Sequence, residues 1–404
     1  MTDSIWVTGI GVASSIGMNA EESLSSFRAG KRGVGEIRIL DTVHKAVFKV
    51  GEIPLTDLQM MEMLQIPETQ YSSYTRTALI GMIAAREAFR DANLQQENQE
   101  GSGNGVRTAL VSATTVGGMD KTEREFATGS PESGFIATHP CGDSTDSIAA
   151  FLGLQGYRTT LSTACSSGAN AIIHAARLIR NGIVDRAIAG GVDALSKFTL
   201  NGFNSLMILD KDYCQPFDRN RRGLNLGEGA GYIVLESDRL AGSAGSRRVC
   251  RLSGYANTND AYHQTASSPG GDGAYGAMTI ALKMSGLKAG EIDYINAHGT
   301  GTENNDASEG AALVRLFGRE LPPFSSTKPF TGHTLGAAAG LEAVFSIMAI
   351  RDGLLLPGLG FREPMEGLNL IPQREMKEGL DIRNVLSNSF GFGGNNSSLI
   401  FSKQ

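Results

Sequence analysis

The feature that most constrains the fold is a pair of segments, TTLSTACSSGANAIIHAARLIRNG at 159–182 and PPFSSTKPFTGHTLGAAAGLEAVFSIMAIRDG at 322–353, that share one outline. Each is a short β-rich run, a polar elbow and a helical stretch of small residues. In α/β chains such elbows lie at strand ends, where side chains are free to do chemistry. If the chain is a duplicated unit, the boundary falls near Gly242–Arg248, giving halves 1–245 and 246–404 whose elbows could converge on one site. Chance similarity between two strand-to-helix turns would produce the same outline.

The rest of the pattern is that of helix-covered sheets. Strands are predicted at Ser4–Val12, Thr108–Ala113, Thr159–Thr163, Arg186–Val192, Tyr232–Glu236, Tyr294–Ala297, Phe324–Thr327 and Ser398–Phe401. Helices are predicted at Ser73–Ala92, Gly168–Asn181, Tyr275–Ser285, Asp306–Phe317 and Gly336–Asp352. This alternation defines an α/β protein, and 404 residues suffice for two domains or two fused halves, each with its own core. The net charge of −6 argues against a basic surface for nucleic acid, although a local basic patch can still dock an acidic partner. The four cysteines show neither metal-ligand spacing nor disulfide-scaffold density, so reduced thiols are expected. The start, MTDSIWVTGIGV, carries Asp3 and lacks the basic and apolar blocks of an export signal. The longest apolar helical stretch, 335–350, is short and contains Glu342, so it reads as a core helix rather than a membrane span, and a cytoplasmic location is expected.

Cys165 stands where β-branched residues stop and the small residues of a helix begin. At a helix N-terminus, unpaired N–H groups and the dipole favour thiolate, so a lowered pKa is expected. Ala164, Ser166, Ser167 and Gly168 would let a carbonyl approach backbone donors. Taken alone, Cys165 fits a buried small hydrophobe equally well. Cys141, Cys214 and Cys250 have no such elbow and read as structural.

His298, in YINAHGTGTENNDASEG, ends a β-run, and His333 occupies the second elbow with Lys328 five residues before it. A lone histidine is more often a satisfied structural group than a catalyst, and His44, His139, His174 and His263 are read that way. No HxxxH, HExxH or CxxC spacing is present, which disfavours zinc and leaves thiol and imidazole chemistry.

Together TACSSGANAI, NAHGTGTENNDASE, STKPFTGHTLGAAAG and NSFGFGGNNSSLIF resemble the four ordered signature regions of β-ketoacyl-[acyl carrier protein] synthases I and II, a likeness spanning nearly the whole chain. The resemblance implies a thiolase fold, two duplicated halves in five α-β-α-β-α layers, usually a homodimer. It implies decarboxylative Claisen condensation of a Cys-bound acyl group with malonyl-carrier protein in fatty-acid biosynthesis. Cys165 matches the family nucleophile, with backbone N–H groups of Cys165 and Phe392 as oxyanion donors and Phe392 as a gate. His298 and His333 match the enolate-binding histidines, and Lys328 a lysine near the acid Glu309, with Asp306 in support. Thr300 and Thr302 match pantetheine-binding threonines, and Val116 a residue of the acyl pocket. No cofactor is implied beyond the phosphopantetheine of the acyl carrier protein. Asn296, Glu342, Ser387 and Asn388 resemble a monovalent-cation site of some relatives.

One region departs from the family pattern. TQYSSY at 69–74 stands where typical fatty-acid synthases carry a basic cluster, so Arg221, Lys121 and Arg124 become the candidates for carrier docking, with Arg222 in place of a common acid. The altered surface suits a ketosynthase of a specialised polyketide or polyene lipid pathway, paired with a chain-length factor. A non-catalytic chain-length factor would lack the cysteine; a thiolase needs a second cysteine where this chain reads GFGGNN; and the synthase III type uses a Cys-His-Asn set.

Overall fold

In a computed structural model the described residues are 4–94, 105–126, 135–242 and 247–404, so the expected boundary between 245 and 246 lies outside them. The first half contributes strands β1 (Ile5–Ser14), β2 (Thr108–Ala113), β3 (Arg158–Leu161), β4 (Arg186–Asp193) and β5 (Gly229–Ser237). The second contributes β6 (Cys250–Asn259), β7 (Tyr294–Asn296), β8 (Phe324–Ser325), β9 (Asn384–Gly391) and β10 (Asn395–Ser402). They line up as β3-β2-β4-β5-β1 and β8-β7-β9-β10-β6, the same order and the same parallel and antiparallel senses in each half. Only two residue pairs, Trp6 with Arg251 and Val7 with Cys250, join β1 to β6.

Strands β6 and β9 were not anticipated. Their sequences, CRLSGYANTN and NVLSNSFG, interleave polar residues with apolar ones, and Ser387, Asn388 and Ser389 are buried nonetheless. Their side chains are satisfied internally: Ser398 donates to Asn388 at 2.8 Å and Ser389 to Glu342 at 3.1 Å.

Helices supply the layers. α1 (Arg76–Asp91), capped by the Thr75 hydroxyl, which accepts from the Ala78 N–H, covers the outer face of the first half. α2 (Ser167–Arg180) and α5 (Ala338–Asp352) lie side by side between the two half-sheets, and α3 (Asp272–Ser285), with α4 (Glu303–Phe317) beside it, covers the second half. The result is the α-β-α-β-α stack. Residues 338–350 are buried on every side, as a helix in the middle layer must be. Its approach to the sheet depends on missing side chains. A Cβ at Gly340 would lie 2.4 Å from the Gly231 carbonyl oxygen and 3.0 Å from the Gly191 nitrogen, and one at Gly168 2.7 Å from the Gly340 nitrogen. Within this core Phe27 meets Phe330 and Phe345 edge-on at 4.9 and 5.0 Å.

Candidate active site

Strand β3 stops at Leu161, and Ala164 then turns through a left-handed φ of 52° to start α2, with Cys165 on the bend. Local hydrogen bonds hold the bend: Thr163 N–H donates to Ser167 Oγ at 2.8 Å, and Ser167 N–H to the Ala164 carbonyl at 3.1 Å. The other half of the molecule clamps it as well. Asn395 Oδ1, on β10, accepts from Ser166 Oγ at 2.6 Å and from Asn170 Nδ2 at 2.9 Å.

His298 follows β7, and His333 sits between a helical turn at Lys328–Thr331 and α5. The sulfur of Cys165 and one nitrogen of each ring all lie within 4.8 Å of one another, and the two ring centroids are 5.4 Å apart. By donor type these atoms could bind a soft divalent ion once the sulfur lost its proton.

The surroundings set which nitrogen carries each proton. Lys328 Nζ stands 3.2 Å from His298 Nδ1, and Leu335 N–H donates to His333 Nδ1 at 3.1 Å. Both Nδ1 atoms are therefore acceptors, which leaves Nε2–H as the free donor of each ring. Burial, then the Lys328 charge, holds both imidazoles well below their ordinary pKa and so neutral.

Cys165 overturns its expectation. Burial pushes its thiol up to about 11, outweighing the Lys328 charge and the backbone N–H groups of Phe392 and Cys165 that point at the sulfur. The helix start supplies donors, but burial of the sulfur removes the water that a resting thiolate would need.

Lys328 pairs with Glu342 at 2.5 Å rather than with Glu309. Glu309 instead accepts from the His298 and Gly299 N–H groups at 2.9 and 2.8 Å, and Asp306, one turn earlier on α4, accepts from the Thr300 and Gly301 N–H groups at 3.0 and 3.2 Å. These two buried acids thus hold the backbone that presents His298. Burial raises Glu309 to about 7.

A cavity of about 400 Å³ opens onto this centre, lined by Cys165, both histidines, Thr300, Thr302 and Phe392 among others. The two threonine hydroxyls are 2.9 Å apart, and the Phe392 ring stacks on Phe203 at 6.0 Å. Gly393, next to Phe392, has a φ of 79° and its N–H donates to the Gln264 carbonyl at 2.8 Å.

Residues 2–241 match the family model "Beta-ketoacyl synthase, N-terminal domain", and residues 249–362 match "Beta-ketoacyl synthase, C-terminal domain". The chain belongs to the β-ketoacyl synthase family. It is a condensing acyltransferase with the thiolase fold. It is 32% identical to "3-oxoacyl-[acyl-carrier-protein] synthase 2" of Staphylococcus aureus (strain N315), over 98% of this chain and 97% of that one. Among solved structures it is similar to the ishigamide ketosynthase/chain length factor, with a TM-score of 0.91, 33% identity and full coverage of both chains. It also resembles a ketosynthase in complex with its chain length factor from Xenorhabdus doucetiae, with a TM-score of 0.84 and 30% identity, covering 100% of this chain and 98% of that one.

Other expected residues of this β-ketoacyl synthase fall in different places. Lys121 is buried and donates its ammonium to the Ser72 carbonyl, so it is no docking residue; the helical turn at Glu68–Ser73 packs over it. Arg124 is half-exposed, 3.7 Å from Asp57. Arg221 donates to the Thr302 and Glu303 carbonyls at 3.3 and 3.0 Å, holding the loop at the cavity wall, while Arg222 lines the mouth and pairs with Asp210 at 3.0 Å. Val116 is not among the residues lining the cavity. Of the expected cation group, Asn296 offers a buried Oδ1 with no protein partner, whereas Glu342 is committed to Lys328 and Ser389, and Asn388 to Glu309 and Ser398. Sequence reasoning missed Glu342 as the partner of Lys328 and Asn395 as the clamp on the elbow. Glu342 had a signal in being the one charged residue within the apolar stretch 335–350.

Among the described residues no helix is long and apolar enough to cross a membrane.

Proposed function

We propose that this chain is a β-ketoacyl-[acyl carrier protein] synthase in which Cys165, His298 and His333 carry the chemistry. The observation that supports it most is the meeting, within 4.8 Å, of one thiol and two buried imidazoles whose Nδ1 atoms face the Lys328 ammonium and the Leu335 N–H. Cys165 takes the acyl group from the pantetheine thioester of a carrier protein, and its proton leaves with the departing pantetheine thiolate. The tetrahedral oxyanion is held by the Cys165 and Phe392 N–H groups. Malonyl-carrier protein then loses CO2, and the electron pair of the broken C–C bond passes into an enolate whose oxygen accepts from Nε2–H of His298 and His333. Enolate carbon attacks the acyl carbonyl and expels the Cys165 thiolate, which regains a proton from solvent.

Lys328 fixes the His298 tautomer, Asp306 and Glu309 hold its backbone, Thr300 and Thr302 bind the pantetheine amides, and Phe392 gates the cavity. Val116 bears on the acyl pocket, and Arg221 with Arg124 on carrier docking. A monovalent cation would be held by Asn296 Oδ1, with no step of the reaction depending on it.

A second reading, a ketosynthase of a specialised polyketide or polyene pathway paired with a chain-length factor, is favoured by the similarity to two ketosynthases solved with such factors. The test is to incubate the purified chain, alone and with a candidate factor, with malonyl-carrier protein and acyl-carrier substrates of graded length, and to identify products by mass spectrometry. Condensation of saturated chains by the chain alone supports the first reading, and activity only with a factor and unsaturated starters supports the second. Turnover that survives Cys165→Ser would refute both.

A further inference from the structure

Asp193 ends β4 and is fully buried, with partners in both halves of the molecule. Its Oδ1 accepts from Thr114 Oγ1 at 2.5 Å, from Thr115 N–H at 3.0 Å and from Val116 N–H at 3.3 Å. Its Oδ2 accepts from Thr115 Oγ1 and from Gly336 N–H, both at 2.7 Å. These donors are all uncharged. A buried carboxylate held only by neutral donors is expensive to keep, so this arrangement calls for a physical reason.

The reason lies in the residue directly before Gly336. Leu335 adopts a left-handed φ of 52°, a conformation that a side-chain-bearing residue holds only when its surroundings impose it. In that conformation its N–H reaches His333 Nδ1 at 3.1 Å, and the following peptide delivers its N–H to Asp193. The fit at Gly336 is tight: a Cβ there would lie 2.8 Å from Asp193 Oδ2. Asp193 thus grips the peptide that directly follows the one whose N–H is the donor to His333.

We propose that Asp193 is a positioning residue that keeps the His333 proton on Nε2 by holding the Leu335–Gly336 turn, and that it ties this setting to the Thr114–Val116 loop of the other half. Without the carboxylate, Leu335 relaxes toward ordinary backbone angles, its N–H leaves Nδ1, and the ring is free to move its proton to Nδ1. The catalytic consequence rests on the function proposed above; the tautomer itself does not.

Asp193→Asn keeps the shape but places an NH2 group where the site needs an acceptor. Three measurements on the full chain test it: acylation of Cys165 by acyl-carrier protein, condensation with malonyl-carrier protein, and the His333 tautomer by 15N NMR, assigned with His333→Asn. The expected result is condensation slowed about 100-fold, as a small displacement of a reacting group allows. Acylation should stay within about threefold of the parent, since it does not use His333. The His333 signal should shift to, or mix with, the Nδ1–H form. Ser112→Ala, which removes an equally buried hydroxyl whose bond is to Tyr232 and not to Asp193, should leave all three unchanged. Thr115→Val deletes one donor to Asp193, should show the same pattern at smaller size, and decides the matter if Asp193→Asn does not fold. A His333 ring that stays Nε2–H in the variants, or acylation and condensation that fall together, overturns the proposal. A parent chain that does not condense would sink the proposed function while the NMR measurement still judged Asp193.

Discussion

Lys328 Nζ and His298 Nδ1 lie 3.2 Å apart, and the same ammonium pairs with Glu342, every group being buried. The lysine therefore does two separable things. It neutralises a buried carboxylate, and it dictates which nitrogen of His298 carries the proton. Lys328→Met should destabilise the fold by about 3–5 kcal/mol in urea denaturation, because the buried Glu342 loses its countercharge and keeps only the Ser389 hydroxyl. Lys328→Met with Glu342→Leu should recover most of that stability while condensation stays about 100-fold or more below the parent. Equal stability of the single and double variants, or parental turnover in the double one, would contradict this division of labour.

Cys165 should alkylate slowly in the empty enzyme. With the thiol at about 11, the iodoacetamide rate should climb about tenfold per pH unit through neutral and mildly alkaline pH, without a plateau below about pH 10. Lys328→Met should slow the reaction further at each pH, since the lysine charge favours the thiolate. Mass spectrometry of the Cys165 peptide gives the rate, and saturation below about pH 8 would show that the helix start outweighs burial.

Glu309 ties folding stability to pH. Its folded pKa of about 7 lies above the ordinary 4.5, so the native state holds the proton more tightly than the unfolded chain does. The stability that this proton contributes is fully present below about pH 4.5 and is lost as pH rises to about 7. Between pH 4.5 and 7.5 the parent should lose about 3 kcal/mol more than Glu309→Gln does, measured by urea denaturation at each pH. Parallel profiles for the two proteins would count against a proton at this site.

The central layer should tolerate no side chain at Gly340. Gly340→Ala drives a methyl into the Gly231 carbonyl and should cost about 3 kcal/mol or more. Gly202→Ala, on an exposed helix face with open space around it, should stabilise by up to about 1 kcal/mol. Thermal melts of the pair measure both, and a Gly340→Ala melt at or above the parent value would contradict the packing.

Much of the site was legible because its parts sit at strand ends, a place that local pattern marks. Cys165 and His333 each stand where a β-run gives way to small residues, and His298 where one breaks into glycines. What stayed hidden depends on burial and on partners distant in sequence. The thiol of Cys165 was expected to be acidic because sequence reveals a helix start but not how completely water is excluded from it. Lys328 is expected near Glu309, but its ion-pair partner, Glu342, comes from α5, while α4 turns Glu309 to the His298 backbone. Lys121 read as a surface charge because a single lysine in a polar helix gives no sign that a neighbouring turn covers it. Strands β6 and β9 were overlooked because their polar residues, which find partners only in the finished sheet, blur the alternation that marks a strand.

The two halves repeat one strand order, yet the sulfur comes from one elbow and a histidine occupies the other. A symmetric pair of separate copies would have to present the same residue from both sides of its axis. Covalent fusion lifts that requirement, so each copy is free to specialise, one supplying the sulfur and the other the imidazoles that face it.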